Sequence, residues 1–524
     1  MPKKPTNTKP DRTDKKHSDS VTPLRPPAGG AVVRMYRIGH GDCFLIAFAG
    51  QDKEKPAYVL IDCGYKPGSP DKLSTPTKVA DIGRDILEAT GGFVDVAIVT
   101  HEHQDHVNGF TQKNFPGLKV GQVWFGWTEN PKDDVADKLR KKFGDRLIGL
   151  LDARGSLLGV GNNGAAGYLD DLLELELGEA ADGFKGKLHA AAGGKDPSGS
   201  SNKRAMKYLS DCCLVAPEYL YPHSEIRQVP GARSARAFVL GPPRNMDKID
   251  DLDPVGEEDF GAPMVAANAD KDASRRNGAP FPSRYVIPDE QMFVESNPNE
   301  PLKQYYGKFF KGYYGDSDVT EAGDGQKIES NASWRRIATD DASTAGALAL
   351  AMNNATNNTS LVLAFELSKG GKVLLLAGDA QAGNWRSWSE GSFDDAKRKV
   401  TVDDLLSRTV LYKVGHHGSH NATLKAGGTS GRASLEGMAQ GKYAKEFIAL
   451  ITAVEAWALH KAPPIWNHPL PAIKQALLTK AGGRVLQTDE PLPANPIGAG
   501  AANWPAFIDR VRETPLYFDI TIPA

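Results

Sequence analysis

The feature that most constrains this chain is a dense group of histidines directly after an apolar segment. The run VDVAIV is typical of a buried strand, and THEHQDH follows it. Alternate side chains share a face at the end of a strand, so His101 and His103 can converge on one ion. Asp105 and His106 follow at the expected turn and can address a second ion. Imidazole and carboxylate ligands suit Zn²⁺ or Mn²⁺. The alternative is a solvated loop in which these histidines bind nothing.

Similar short apolar segments recur on both sides of this group. The segments AVVRMYRIG, CFLIAFAG and AYVLIDCG precede it, and a helical pattern with Ile82, Ile86 and Leu87 leads into VDVAIV. The later strand-like segments are SLVLAFEL, KVLLLAGDA, TVLYKVGHHGS, EFIALITAV, GRVLQT and LYFDITI. Among them PLPAIKQALLTKAGG has the proline start and glycine end of a helix. Strands that alternate with helices predict an α/β (α+β) fold.

Two regions differ from this pattern and are interpreted as insertions. Residues 131–230 contain amphipathic helical stretches such as DDVADKLRKKFGDRLIGLLDA and YLDDLLELELG. Residues 245–340 are largely acidic and rich in proline and glycine, which is typical of loops. Residues 1–30 carry basic side chains and little apolar surface, so we expect a disordered basic tail. One domain is predicted over 31–524, with the two insertions inside it.

The composition excludes few binding partners, but the cysteines and the lack of long apolar runs bear on where the protein is located in the cell. The formal net charge of the 524 residues is −2, so the overall balance does not require a nucleic acid or a membrane. No signal-peptide pattern and no run of ~18 apolar residues is present, which predicts no membrane segment. The four cysteines form no CxxC pair. We therefore expect a reducing, cytoplasmic location.

Two further strand ends carry candidate ligands. Asp379 follows the leucine run of LLLAGDA, where it is either a ligand or the N-cap of the next helix. His416 and His417 end the segment TVLYKVGHHGS, where Gly415 and Gly418 allow close backbone approach. Several strand ends that carry His or Asp predict one shared rim.

Together these motifs resemble the metallo-β-lactamase fold hydrolases, an αββα sandwich with a dinuclear metal site. RIGHGDCFLI, NNTSLVLAFEL with LLLAGDA, KVGHHGS and WNHP are similar to motifs of the ComEC-type competence-protein hydrolase domain. The resemblance covers about 31–126 and 355–490 and leaves the insertions uncovered.

The resemblance implies roles for individual residues. His101 and His103 would hold the first metal, while Asp105 and His106 would hold the second. The remaining assignments are Asp379 as the bridge, His416 or His417 as the last ligand of the second metal, Asp62 and Asp42 as carboxylates supporting the ligands from behind, and His468 beside the substrate. An alternative for His468 is a turn residue that caps the following helix.

One position departs from the family pattern. Gly241, in ARAFVLGPPRN, stands where a histidine ligand of the first metal is expected. Water, substrate, His40, His189 or His223 are the candidates to replace it, and a single tightly held metal is the alternative. We expect Gly241→His to tighten retention of the first metal.

These residues predict a metal-dependent hydrolase, with one or two Zn²⁺ or Mn²⁺ ions that activate a water molecule. Asp105 or Asp379 would accept its proton, and a phosphodiester is the expected substrate. The resemblance to the ComEC-type domain implies DNA or RNA. Aromatic and basic stretches such as LKQYYGKFFKGYYG, with 335–337 and 397–399, could contact a nucleic-acid backbone. The alternatives are hydrolysis of a small ester, lactone or cyclic nucleotide, and a non-catalytic binding module.

Overall fold

The structure is a computed structural model that describes most of the chain. It describes residues 24–52, 55–159, 161–179, 200–260, 320–321, 327–328, 341–396, 398–426, 433–460 and 466–524. Most of the predicted basic tail, His189 and the stretches 302–315 and 335–337 therefore lie outside the described residues.

The strands form two central sheets and two small hairpins. In chain order the strands are β1 Ala31–Tyr36, β2 Cys43–Phe48, β3 Ala57–Cys63, β4 Phe93–Ile98, β5 Lys119–Gly126, β6 Glu218–Leu220, β7 Arg227–Gln228, β8 Arg236–Gly241, β9 Thr320–Glu321, β10 Lys327–Ile328, β11 Val362–Glu366, β12 Val373–Leu376, β13 Ser392–Asp395, β14 Arg398–Thr401, β15 Thr409–Lys413, β16 Ile448–Ile451, β17 Val485–Gln487, β18 Val511–Glu513 and β19 Tyr517–Ile522. The hairpins are β9 with β10 and β13 with β14.

Helices lie between these strands and are mostly short. In chain order the α-helices are α1 Val79–Thr90, α2 Gln104–Val107, α3 Asp134–Gly159, α4 Asn163–Leu177, α5 Ser201–Asp211, α6 Met246–Ile249, α7 Asp341–Asn357, α8 Ala382–Trp388, α9 Val402–Ser407, α10 Glu455–Ala458, α11 Pro471–Lys480 and α12 Trp504–Ile508.

Both central sheets mix parallel and antiparallel pairs. Within the described residues, the first sheet has the order β18-β19-β1-β2-β3-β4-β5-β6 and the second has the order β17-β16-β15-β12-β11-β8-β7. Strands β3 to β6 are parallel in the first sheet, and β12, β15, β16 and β17 are parallel in the second. The chain therefore has an α/β fold built on two sheets, as its alternating segments predict.

Apolar side chains pack on both faces of each sheet. One core lies between the sheets and joins, for example, Phe44 of β2 to Phe365 of β11. On the outer faces, Ile82 of α1 packs on the first sheet, and Ile473 of α11 packs on the second. Burying each such side chain contributes about 1.5–3 kcal/mol. The layers are therefore helix, sheet, sheet and helix, and strands covered on both faces read as continuous apolar runs.

The region predicted as a helical insertion contains α3, α4 and α5, and it also contributes β6 and β7 to the two sheets. Leucines of α3 and α4 pack with α7 in a separate core that includes Leu150, Leu169 and Met352. Helix α7 begins just after the second predicted insertion, 245–340. The domain division itself stays a prediction.

Among the described residues, no helix combines the length and the apolar character that crossing a membrane needs. The longest, α3, is interrupted by charged side chains throughout.

Candidate metal centre

The site forms where strands from both sheets end at the same side of the molecule. Asp62 lies near the end of β3, and the segment that contains α2 follows β4. Asp379 follows β12, and His417 follows β15. Parallel strands direct their carboxyl ends to one edge, so residues far apart in sequence meet there.

Close backbone packing brings these loops together. A Cβ atom added at Gly41 would lie 2.7 Å from the backbone oxygen of Asp105, and one added at Gly64 would lie 2.4 Å from the backbone nitrogen of His106. Both values are far below normal contact distances, so only glycine allows this approach. The loop after β1 and the end of β3 therefore press directly on α2.

Four buried side chains form the core of the site: Asp105, His106, Asp379 and His417. One ligand atom from each lies within 4.8 Å of the others. His417 Nε2 is 3.1 Å from Asp105 Oδ2 and 3.5 Å from Asp379 Oδ2, while His106 Nε2 is 3.1 Å from Asp379 Oδ2. Two imidazoles and two carboxylates suit Zn²⁺ or Mn²⁺.

The outer nitrogens of the two imidazoles are already occupied. Nδ1 of His106 lies 2.9 Å from Asp62 Oδ2, and Nδ1 of His417 lies 2.9 Å from the carbonyl oxygen of Thr452. When each Nδ1–H donates outward, each Nε2 presents a lone pair to the centre. Thr100 holds Asp62 in turn, through its backbone N–H at 2.8 Å and its hydroxyl at 2.7 Å.

Several inward atoms have no hydrogen-bond partner within the part of the chain that the structure describes. They are Nε2 of His101, Nε2 of His106, Oδ1 of Asp105 and Oδ1 of Asp42. Nε2 of His106 is near Asp379, but the pair does not have hydrogen-bond geometry. An unpaired buried polar atom costs about 1–3 kcal/mol, which a bound cation would recover. The residues present therefore fit a divalent ion.

The charges of the site favour ionised carboxylates. Burial alone would raise the pKa of Asp379, but His106, Lys413 and His417 outweigh it and hold that pKa well below its usual value. The pKa of Asp105 is likewise held low against burial, chiefly by a hydrogen bond from the Nε2–H of His417, whose proton a bound cation would replace. Both oxygens are therefore available as anionic ligands at neutral pH.

Lys413 is a residue of the site that the motifs did not predict. It is the last residue of β15, and its ammonium lies 2.5 Å from Asp42 Oδ2 and 3.1 Å from Asp379 Oδ1. It also donates to the carbonyl oxygen of Gly378 at 2.7 Å. The available signal was a lysine that ends the apolar segment TVLYK. Its charge offsets part of the negative charge of the carboxylates.

Backbone strain is also concentrated here. Asp62, His416 and His417 all have positive φ angles, of 53°, 38° and 53°. Such a conformation costs about 1–3 kcal/mol for a residue other than glycine and is common at functional sites. Of the two adjacent histidines, His417 joins the four-residue group. The ring of His416 instead contacts Asn357 and Gln381, at 3.2 Å and 3.0 Å.

His101 and His103 lie beside the group but do not belong to it. Their ring centroids are 4.7 Å apart, and the His101 ring is 4.2 Å from that of His106. Nδ1 of His101 faces the Ser360 hydroxyl at 3.3 Å. Among the described residues, no third His, Cys, Asp or Glu completes a compact group with this pair. The predicted first site is thus less complete than the second.

His40 and His468 form a second histidine pair, which lies beside the four-residue group. Nδ1 of His40 accepts a hydrogen bond from the backbone N–H of Val454 at 3.2 Å. Nε2 of His40 must then carry the proton, and it lies 3.3 Å from Nδ1 of His468. His40 also packs on His417, with ring centroids 4.3 Å apart. This chain of donors leaves Nε2 of the partly exposed His468 as an N–H donor.

Gly241 ends β8, and its surroundings exclude a larger residue. A Cβ atom there would lie 2.1 Å from Oδ1 of Asn384. That amide is fixed because it donates to the carbonyl oxygens of Asn358 and Ser360, at 3.0 Å and 2.9 Å. An imidazole at this position would displace a buried hydrogen-bonded side chain. The structure therefore gives no support to the expected gain from Gly241→His, which stays a prediction.

Of the histidines predicted to replace the missing ligand of the first metal, the structure describes His40 and His223, and both contact residues other than His101 and His103. His223 contacts Ser387 and Phe393 and belongs to no compact ligand group among the described residues, so its proposed role stays a prediction. His40 is next to His417 rather than next to His101. The side chain that does reach the pair is Glu176 of α4, whose Oε1 is 3.0 Å from Nε2 of His103. Sequence reasoning missed it because α4 reads as an ordinary amphipathic helix.

A cavity of about 450 Å³ lies near His103, whose partner Glu176 lines it. Glu102 and Glu176 line its side nearest the histidines, and Phe143, Leu147 and Met352 provide apolar walls. Three cations also line it: Lys203 is paired with Glu102 and Glu129, and Arg140 and Lys141 are paired with Asp137. The cavity therefore combines apolar walls with charges of both signs.

Comparison with known proteins gives little beyond this geometry. No family model matches the chain. A stretch of 120 residues is 29% identical to proteins named group II intron-interrupted relaxase LtrB from Lactococcus lactis subsp. cremoris, one of them from strain MG1363. The match covers 20% of this chain, which spans about a fifth (21%) of the relatives' length.

Proposed function

We propose that this chain is a metal-dependent hydrolase of the metallo-β-lactamase fold that attacks its substrate with an activated water molecule. The observation that carries this proposal is the buried group of Asp105, His106, Asp379 and His417, with inward atoms that lack partners in the described residues. A divalent cation held there would polarise the substrate oxygen and lower the pKa of bound water towards ~7.

The protein side chains supply the remaining functions. Asp105 or Asp379, both at the centre of the group, would accept a proton from the attacking water. The Nε2–H of His468 can donate to a phosphoryl oxygen or a leaving group, because His40 occupies its other nitrogen. Asp62 and Thr452 keep the two imidazoles aligned.

A phosphodiester is the preferred substrate class. In-line displacement at phosphorus makes the best use of paired cationic sites, and the ComEC-like motifs imply a nucleic acid. The short match to proteins named relaxases is compatible with that substrate but too limited to support it alone. Of the basic stretches, Arg398 and Lys399 lie in the described β14, where both are exposed.

A second candidate, hydrolysis of a small ester, lactone or cyclic nucleotide, is favoured by the cavity. Its walls of Phe143, Leu147 and Met352 suit a compact, partly apolar group better than a polyanion. Phosphate backbones are normally bound by unpaired Lys and Arg. In this cavity Lys203 is held by Glu102 and Glu129, and Arg140 and Lys141 are held by Asp137.

A substrate panel tests both candidates. Purified protein with Zn²⁺ or Mn²⁺ would be assayed on bis(p-nitrophenyl) phosphate, p-nitrophenyl acetate, single-stranded DNA, RNA and a cyclic dinucleotide. We expect turnover of the phosphodiesters and its loss in Asp379→Ala and His417→Ala. The exposed His460 provides a matched control, since His460→Ala should retain activity. Turnover of the acetate alone would favour the second candidate, and no turnover of any substrate would contradict both.

A further inference from the structure

The inserted helix α4 contributes a carboxylate to the histidine cluster. Glu176 is nearly buried at 9% exposure, and its Oε1 lies 3.0 Å from Nε2 of His103. The two residues are 73 positions apart, so the contact depends on how α4 packs. Thr356 of α7 donates its hydroxyl to the same carboxylate, at 3.1 Å from Oε1.

The backbone at the end of α4 is fixed as firmly as the side chain. Gly178 ends the helix with a φ of 71°, and a Cβ atom there would lie 2.0 Å from Oδ1 of Asn202. The same asparagine donates to the carbonyl oxygens of Leu175 and Glu176, at 2.7 Å and 3.1 Å. Leu172 and Leu173 anchor the helix in the core shared with α3 and α7. Glu176 and its helix are therefore held in place by α3, α5 and α7.

This contact decides which nitrogen of His103 is free. A neutral imidazole carries one proton, and a carboxylate is an acceptor, so the Nε2–H of His103 donates to Glu176. Only Nδ1 then keeps a lone pair. An oxygen acceptor likewise faces the outer Nδ1 of His106 and of His417. Carboxylate partners of this kind orient metal-binding histidines and raise their basicity.

We propose that Glu176 is a positioning residue which sets the tautomer of His103 so that Nδ1 binds a cation beside the four-residue group. The proposal rests on the metal centre proposed above. The inserted helices then do more than frame the cavity, because one cation is retained only when α4 is packed in place. Glu176 also compensates in part for Gly241, since a better-aligned His103 strengthens a site that lacks a histidine.

Metal affinity measured on the full chain tests this proposal. The wild type and the variants would be stripped with a chelator and titrated with Zn²⁺ by equilibrium dialysis, and bound metal would be counted. We expect two ions in the wild type. In Glu176→Ala one of them should bind about 10- to 100-fold more weakly, the usual effect of losing an orienting partner. Retention of the other ion, on Asp105, His106, Asp379 and His417, should not change.

Two further variants separate positioning from a purely structural role. Glu176→Gln keeps an oxygen that accepts from Nε2–H, so it should restore most of the lost affinity. Glu174→Gln is the matched control, because Glu174 is on the same helix and contacts Gln104 instead, at 3.1 Å. Its metal binding should equal that of the wild type. Visible absorption of Co²⁺-loaded samples should report the same site-specific loss in Glu176→Ala.

The outcomes that overturn the proposal are distinct from failure of the proposed function. A folded Glu176→Ala that binds both ions with wild-type affinity overturns it, and so does a wild type that binds a single ion. If Glu176→Ala does not fold, Glu176→Asp decides, since it retracts the carboxylate but keeps its charge, and unchanged affinity in it also overturns the proposal. A wild type that binds two ions but hydrolyses nothing contradicts the proposed function and leaves the role of Glu176 standing.

Discussion

Individual buried charges determine what this site can hold. Lys413, at 1% side-chain exposure, lies between Asp42 and Asp379. Without a cation in the centre, this ammonium is the nearest full positive charge to both carboxylates apart from the histidines. Removing one partner of a buried ion pair leaves the other uncompensated, which is more damaging than losing an exposed pair.

We therefore predict that Lys413→Met lowers the free energy of unfolding by about 3–5 kcal/mol in the presence of a chelator. A saturating divalent cation should recover part of the loss because it neutralises Asp379. Urea denaturation with and without metal measures both effects. The exposed Lys207, paired with Asp211, offers the control Lys207→Met, which should unfold like the wild type. An equally small effect for Lys413→Met would show that the buried pair is unimportant.

His40 provides a second prediction at the residue scale. His40→Ala should lower kcat by about 10- to 100-fold because His468 loses the donor that fixes its ring. His40→Gln should keep most of the activity, since an amide can accept from Val454 N–H and donate to His468. The comparison uses kcat on the best substrate of the panel. Equal rates for the two variants would contradict this role.

At the level of elements, one ion-pair network ties the first sheet to its covering helix. Arg34 of β1 donates to Asp519 of β19 at 2.7 Å and to Asp85 of α1 at 2.6 Å. Tyr36 adds a hydrogen bond to Asp85 at 2.6 Å. The guanidinium is fully buried, and the network joins two strands and a helix.

Arg34→Ala is therefore expected to destabilise the protein by about 3–5 kcal/mol, because two buried carboxylates lose their partner. The exposed Arg84, which pairs with Asp81 on α1, is the matched control, and Arg84→Ala should cost under about 1 kcal/mol. Chemical denaturation of both variants measures the difference. Metal content per folded chain should be unchanged in each, and a loss of metal in Arg34→Ala would contradict a purely structural role.

For the whole molecule, the centre depends on both sheets being in place. Asp105 and His106 follow the first sheet, while Asp379 and His417 follow the second. A cation held by all four would depend on residues from both sheets. It would bind only the folded state, so its binding free energy would add directly to stability.

Metal removal should therefore lower the thermal stability of the entire chain. At a free Zn²⁺ concentration 100 times the dissociation constant, the expected stabilisation is about 2.7 kcal/mol. Differential scanning calorimetry with Zn²⁺ or with chelator measures the shift in Tm. Asp379→Asn combined with His417→Ala should abolish it. An equal Tm in both conditions for the wild type would contradict the metal centre itself.

The sequence by itself determined where strands form and which polar residues stand at their ends. Apolar runs such as VDVAIV identified strands, and the polar residues that follow them, among them Asp105, His106, Asp379 and His417, identified the rim. These signals are readable because strand periodicity and strand ends are properties of neighbouring residues. The α/β character followed from the same alternation of elements.

Only the tertiary structure decided which side chains meet. Glu176 and His103 are 73 residues apart, and His40 and His468 are 428 residues apart. The choice of His417 over His416 depends on ring orientations that sequence spacing does not contain. The obstruction at Gly241 likewise comes from Asn384 of another element. Such contacts arise from the packing of whole helices and sheets, and no local pattern encodes that packing.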